Sequence, residues 1–157
     1  MKIKWVNKKW DKLTTEELYS ILRLRSEVFV VEQDCVYQDI DNNDKKAIHL
    51  LGYLKKELMA YSRIFDEGDY FKETSFGRAI IKKKERGSGY GDELVKESLK
   101  TIKNEYGNKK IKISAQALTA SLDAALAAAL AAALAAALGA ALDAALAAAL
   151  DAALAAA

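Results

Sequence analysis

The residues best suited to chemistry lie in one short run. Arg86-Gly87-Ser88-Gly89-Tyr90-Gly91 sets three glycines at alternate positions, between an apolar strand-like segment and a segment with apolar residues at helical spacing. Glycine admits positive φ and lets a ligand approach the backbone with no Cβ in the way. A helix opening near Gly89 or Gly91 presents unpaired N–H groups and a partial positive charge. The run therefore suits a phosphate or pyrophosphate, and Lys82, Lys83 and Lys84 just upstream add favourable potential. Two nucleotide motifs fit poorly. A P-loop ends in Gly-Lys-Ser/Thr where this chain has Gly91-Asp92-Glu93, and a dinucleotide fingerprint needs Gly-x-Gly-x-x-Gly where this chain has Gly87-x-Gly89-x-Gly91.

Few other side chains offer acid, base or nucleophile. His49 is the one histidine and opens an apolar strand beside an acidic stretch, which suits either proton transfer or a satisfied half-buried ring. The one cysteine, Cys35, excludes an intrachain disulfide and a cysteine-based zinc site, and it reads as a packing residue. Tyr61, Arg63 and Arg78 fall on successive strand candidates, where alternate residues can meet on one face.

The elements that would position these groups follow from hydrophobic periodicity. Residues 3–6 read as a first strand. Residues 13–24 read as a helix capped by Thr14 or Thr15, with Glu16 and Glu17 in its first turn, running on to Val30. Residues 34–46 are acid-rich and read as a surface loop. Strands are expected at 48–54, 58–65 and 76–83, the first two joined at hairpin length, giving an antiparallel meander. The glycine turn, a helix over about 89–106 with Gly107 as C-cap, and a strand at 111–115 complete a βαβ unit whose strands should be parallel. The fold class is α/β: a mixed sheet of antiparallel meander plus one parallel pair, flanked by helices.

Arg-x-x-Gly-x-Gly after a strand, here Arg86, Gly89 and Gly91, resembles the acyl-CoA pyrophosphate loop of the GNAT superfamily of N-acetyltransferases. The segment from Leu24 to Asp41, LRSEVFVVEQDCVYQDID, is far more specific and resembles the ElaA-like branch of that superfamily. His49-Leu50-Leu51-Gly52, Ala60-Tyr61-Ser62-Arg63-Ile64, Gly77-Arg78-Ala79-Ile80-Ile81 and Ala115-Gln116-Ala117 follow in matching order. The resemblance implies transfer of an acetyl group from acetyl-CoA to a small-molecule or peptide amine. It places the cosubstrate on residues Arg86, Gly87, Ser88, Gly89, Tyr90 and Gly91 and along the backbone of Ile80 and Ile81. Glu32 and His49 become candidates for catalysis, with Arg25, Gln33 and Arg78 toward the acceptor. An acceptor ammonium must lose a proton before attacking a thioester, and Glu32 is the carboxylate offered for that task.

The resemblance covers residues 1–117. The family's next segment, bearing a tyrosine that often serves as general acid, has no counterpart, so a catalytically silent acyl-CoA-binding or scaffold protein is the alternative. Residues 118–157 hold 24 Ala and ten Leu, the leucines at a strict spacing of four from Leu118 to Leu154. Such a stretch favours a long helix, but the leucine row advances about 40° per repeat and builds no single apolar face. It reads as a low-complexity tail, natural, designed or filler. Its 19 uncharged residues 124–142 lack flanking Lys or Arg, which argues against a membrane span.

All 24 Lys and Arg precede the tail together with 19 of the 22 Asp and Glu, so the body is net positive by 5 and the tail negative by 3. The lysines are interleaved with acids, which argues against a nucleic-acid surface. With no cationic-then-apolar leader, a cytoplasmic setting is expected. No metal is expected, and a homodimer is left open.

Overall fold

The computed structural model describes residues 2–114. Its spine is a five-stranded sheet in the order β1 (Lys4–Lys9), β2 (Ile48–Leu54), β3 (Glu57–Phe65), β4 (Thr74–Ile81) and β5 (Ile111–Ser114). The first three pairings are antiparallel and β4 with β5 is parallel, as the strand–helix–strand connection requires. The β2–β3 hairpin closes through Lys55 and Lys56 at φ 50° and 71°. Both sit in the left-handed region, the backbone of a two-residue turn that matches the twist of its strands.

Helix α1 (Thr15–Arg25) begins on a reciprocal cap: the Glu17 N–H donates to Thr14 Oγ1 at 3.2 Å and the Thr14 N–H donates to Glu17 Oε2 at 2.9 Å. The helix then widens into a π-helical segment, Ser26–Glu32. Helix α2 (Tyr90–Tyr106) ends at Gly107, φ 81°, whose N–H closes on the Lys103 carbonyl at 3.0 Å.

The two helices cover opposite faces of the sheet. Leu94, Val95 and Ile102 of α2 pack with Leu50, Ala60, Ile64, Phe76 and Ile81. On the other face Ile21, Leu24, Val28 and Phe29 pack with Leu51, Leu58, Tyr61 and Ile80. Burial on both sides explains why β2 and β3 are nearly continuous apolar runs rather than alternating ones.

Three local departures from the sequence expectation matter for the site. Strand β4 begins at Thr74, two residues early, and carries a bulge: Arg63 faces Gly77 whereas Tyr61 faces Ile80, so three steps of β4 oppose two of β3. Arg78 absorbs the extra residue at φ 52°. The acid-rich stretch 34–46, expected to run over the surface, instead turns Asp39 and Asp44 inward to 8% and 5% exposure. Cys35, expected to pack, is exposed. The long helix expected over 118–157, and with it the boundary at residue 117, lies outside the described residues. No helix among the described residues is long and apolar enough to cross a membrane.

Gly52 lets the β1–β2 pair close. A Cβ there would lie 2.6 Å from the Trp5 ring and 2.8 Å from the Ala60 Cβ. Gly52→Ala should therefore destabilise the chain by about 1–3 kcal/mol, read as a lowered urea midpoint.

Candidate active site

Three arginines from three different elements converge on the acidic loop. Arg25 lies on the buried stripe of α1, four residues beyond Ile21 and three before Val28, so its guanidinium enters the interior and is fully buried. There its Nε donates to Asp39 Oδ2 at 2.8 Å, Nη2 to the Asp39 carbonyl at 2.8 Å, and Nη1 to Asp44 Oδ1 at 2.6 Å. Arg63 of β3 grips both oxygens of Asp41 at 2.7 Å and also reaches Asp44 Oδ1 at 3.1 Å. Arg78, thrown inward by the bulge, donates Nε to Asp39 Oδ1 at 2.7 Å while its guanidinium lies over the rings of Phe29 and Tyr37. Tyr37 donates its hydroxyl to the same Asp39 oxygen at 3.1 Å, and burial, aided by that carboxylate, pushes its phenol up to about 12. Burial opposes ionisation of Asp41, but the bidentate Arg63 overrides it and holds the carboxyl well below the ordinary range.

His49 belongs to this network. Its Nε2–H donates to the Asp44 carbonyl at 2.9 Å, which leaves Nδ1 as acceptor for the Tyr61 hydroxyl at 2.8 Å. The ring is fully buried, and that burial, with Arg25 and Arg63 near it, lowers its pKa below the ordinary value. Both nitrogens are engaged and no solvent path reaches them. His49, expected as a catalytic candidate, thus sits inside the network with both ring nitrogens bonded. Arg25, expected toward the acceptor, is likewise fully buried and bonded to Asp39 and Asp44. Arg78 is only partly exposed and belongs chiefly to the same network.

The other expected residues gather about 86–91. Gly87 and Gly89 adopt φ 77° and 79°, Gly89 serving as N-cap of α2, and a Cβ at either would meet nothing within 4 Å. The turn 87–89 is exposed, with Tyr90 and Gly91 half-buried behind it. The first N–H groups of α2 thus open on an exposed turn with no side chain over it at Gly87 or Gly89, a setting that suits an anion. Lys82 and Lys84 flank it but share Glu57 at 2.5 and 2.8 Å, so part of their charge is already answered.

Arg86 joins this turn to the π-helical segment. Its Nη2 donates to Glu32 Oε2 at 3.0 Å, Nη1 bonds the second Glu32 oxygen, and Nε donates to the Ile81 carbonyl at 3.0 Å. Two residues singled out separately, one for its glycine turn and one as a base, thus meet directly. Gln33 follows Glu32 as a half-buried cap residue.

The Ile80 and Ile81 expectation divides. The bond from the Lys82 N–H to the Met59 carbonyl fixes the alternation, so Ile80 turns its backbone groups to β3 and only Ala79 and Ile81 turn theirs to the other side. The ladder to β5 joins 74–77 with 111–114, and no strand among the described residues pairs with 79 or 81 there.

The comparisons with known proteins bear on this geometry. No family model matches the chain. Protein ElaA of Escherichia coli is 38% identical over 117 residues, spanning 73% of this chain and 76% of that protein. The chain belongs to the ElaA-like branch of the GNAT superfamily. The crystal structure of ElaA superposes with a TM-score of 0.69 at 37% identity, covering 74% of this chain and 80% of ElaA. An acyl-CoA N-acyltransferase from Pseudomonas aeruginosa superposes with a TM-score of 0.70 at 35% identity, covering 74% and 81%. The GNAT sheet, with its β4 bulge and helix opening at the glycine turn, is the frame on which this ElaA-like chain carries its network.

Sequence reasoning missed Asp39, Asp41, Asp44 and the β4 bulge. A signal was present: Arg25 and Arg63 both occupy positions that periodicity assigns to the core, and a buried guanidinium demands buried acids. Removing Arg25 leaves Asp39 to Arg78 and Asp44 to Arg63, two buried acids each short of one cation, so Arg25→Met should cost about 3–5 kcal/mol in urea unfolding. A second expectation concerns pH. Because the folded chain holds His49 below its ordinary 6.5, the unfolded chain takes up the proton first as pH falls. The stability contributed by neutral His49 is present in full above about pH 6.5 and drains away below it, at up to about 1.4 kcal/mol per unit. His49→Gln should flatten that part of the urea-midpoint profile between pH 7.5 and 5, whatever its effect on the midpoint at neutral pH.

Proposed function

We propose that this chain is an acyl-CoA-dependent N-acyltransferase that accepts acetyl-CoA as donor and a primary amine as acceptor. The observation that carries the proposal is the exposed left-handed turn at Gly87 and Gly89 feeding the N-terminus of α2 beside the bulged end of β4. Backbone N–H groups of 87–91 would hold the pyrophosphate, with Arg86 and Lys83 adding charge. The backbone of Ala79 and Ile81 would hold the extended pantetheine arm by strand-like pairing. The thioester supplies an activated acyl carbon and a thiolate leaving group.

On the acceptor side, Glu32 is the base candidate. A carboxylate at the mouth of the site can accept a proton from the incoming ammonium, directly or through a water. Gln33 beside it offers an amide to orient the amine. The three-arginine network takes no proton in this scheme; it fixes the bulge and the π-helical segment that present these groups.

A second reading, a chain that binds acyl-CoA without efficient transfer, is favoured by one sequence fact: no tyrosine follows Tyr106. Loss of a general acid need not abolish reaction, because a thiol with a pKa of roughly 8.5 is already a fair leaving group, and such acids contribute about 10²-fold to 10⁴-fold. The two readings share the donor site and separate at turnover. Calorimetric titration of the full chain with CoA should show saturable binding. Gly89→Val should abolish it, since a branched side chain at positive φ strains the turn and stands over the first N–H groups of α2, while Lys83→Ala should weaken it by about fivefold or less. Equal affinity in wild type and Gly89→Val would sink the donor site. Thiol release from acetyl-CoA against a panel of primary amines should run below about 1 per second, and faster turnover would exclude the silent reading.

A further inference from the structure

We infer that Glu32 is the resident anion of the donor site, and that binding of the acyl-CoA diphosphate takes Arg86 from it and releases the Glu32 carboxylate to the acceptor amine. The inference rests on the donor-site reading above and assigns that site an order of events. Arg86 has three bonds in the free chain. One, from Nε to the Ile81 carbonyl, ties the guanidinium to the end of β4. The other two form a bidentate pair with Glu32. The tie to Ile81 keeps Arg86 at the foot of the glycine turn, so the exchangeable member is Glu32.

Glu32 is built to move. It is the last residue of the π-helical segment, and Asp34, two residues on, is exposed at φ 48°, where the chain reverses into the acidic loop. Its side chain is 17% exposed and that of Arg86 16%, so the pair sits at the rim and not in the core. The segment's other end is pinned by buried Arg25, which confines the motion to its last turn.

The competition favours a diphosphate. Both anions match the planar fork of a guanidinium, but the diphosphate carries more charge and also engages the N–H groups opening α2. If both remained on Arg86, two anions would share one cation at close range, an arrangement that repels. Exchange removes that repulsion and leaves an unpaired carboxylate beside the site just as an ammonium is needed there. Coupling between binding sites is reciprocal, so donor and amine should each raise the affinity for the other.

The test is calorimetry on the full chain, with inorganic pyrophosphate and CoA as donor probes and propylamine as acceptor probe. Glu32→Gln removes the competing charge and should bind both donor probes roughly 3-fold to 10-fold tighter than wild type. Glu32→Asp, which keeps the charge but shortens the reach, should fall between them. Propylamine should bind wild type several-fold tighter with saturating CoA than without, and that gain should vanish in Glu32→Gln. Unchanged or weaker donor binding in both variants, with melting temperatures preserved, overturns the exchange and makes Glu32 a clamp that positions Arg86. Tighter donor binding without amine coupling in wild type overturns the release. Absence of CoA binding in wild type and variants alike refutes the donor site itself, a result separable from the others.

Discussion

A guanidinium cannot be left dry and unpaired, and that constraint organises this chain. Arg25 enters the interior because the periodicity of α1 sends it there, and its charge can be borne only by carboxylates brought in after it. The stretch 34–46 supplies them. Asp39 and Asp44 are drawn from what would otherwise be a solvated loop, Asp44 then also meets Arg63, and Asp39 also meets Arg78. One helix, one loop and three strands are fixed together by three positive and three negative side chains and an imidazole. The geometry of the β4 bulge, and hence the course of the backbone toward the glycine turn, is set from this side of the sheet.

Against that fixed core, the rim is exchangeable. The π-helical segment follows directly on the buried Arg25 and ends on Glu32, so one continuous piece of chain runs from a fully buried charge to a partly exposed ion pair at the rim. Its wider turn keeps Val28 and Phe29 on the sheet while delivering Glu32 to the far side of the glycine turn. Seven residues thus join the buried network to the ion pair beside the glycine turn.

The sheet, both helices and the parallel pairing were legible because each rests on a local signal: the Thr14 and Glu17 cap, the hairpin link at Lys55 and Lys56, the glycine turn before α2, Gly107 after it. The left-handed backbone at Gly87 and Gly89 was legible for the same reason, since glycine alone signals it. What local pattern could not show was which way a charged side chain faces. His49 reads equally well as a base or as a buried ring until Asp44 and Tyr61 are seen on its two nitrogens. Asp39, Asp41 and Asp44 read as ordinary loop acids, because their partners lie 14 to 39 residues away. The bulge at Arg78 escaped notice since Gly77-Arg78-Ala79 alternates passably as plain strand. Pairings that decide a site across the chain leave little trace in any single window of it.

The closure of the network has a bearing on how this sequence can change over generations. A single replacement of Asp39, Asp44, Arg25 or Arg63 leaves buried charges short of one partner, whereas replacing an entire buried set by apolar residues of similar volume is often tolerated or even stabilising. Single steps are thus blocked while the concerted step is open. Such positions should drift rarely, and then together, so that substitutions at the α1 arginine, the loop acids and the β3 arginine would form one inherited block. Residues such as Tyr19 and Val36, which face solvent on the same frame, carry no such linkage and are free to vary one at a time.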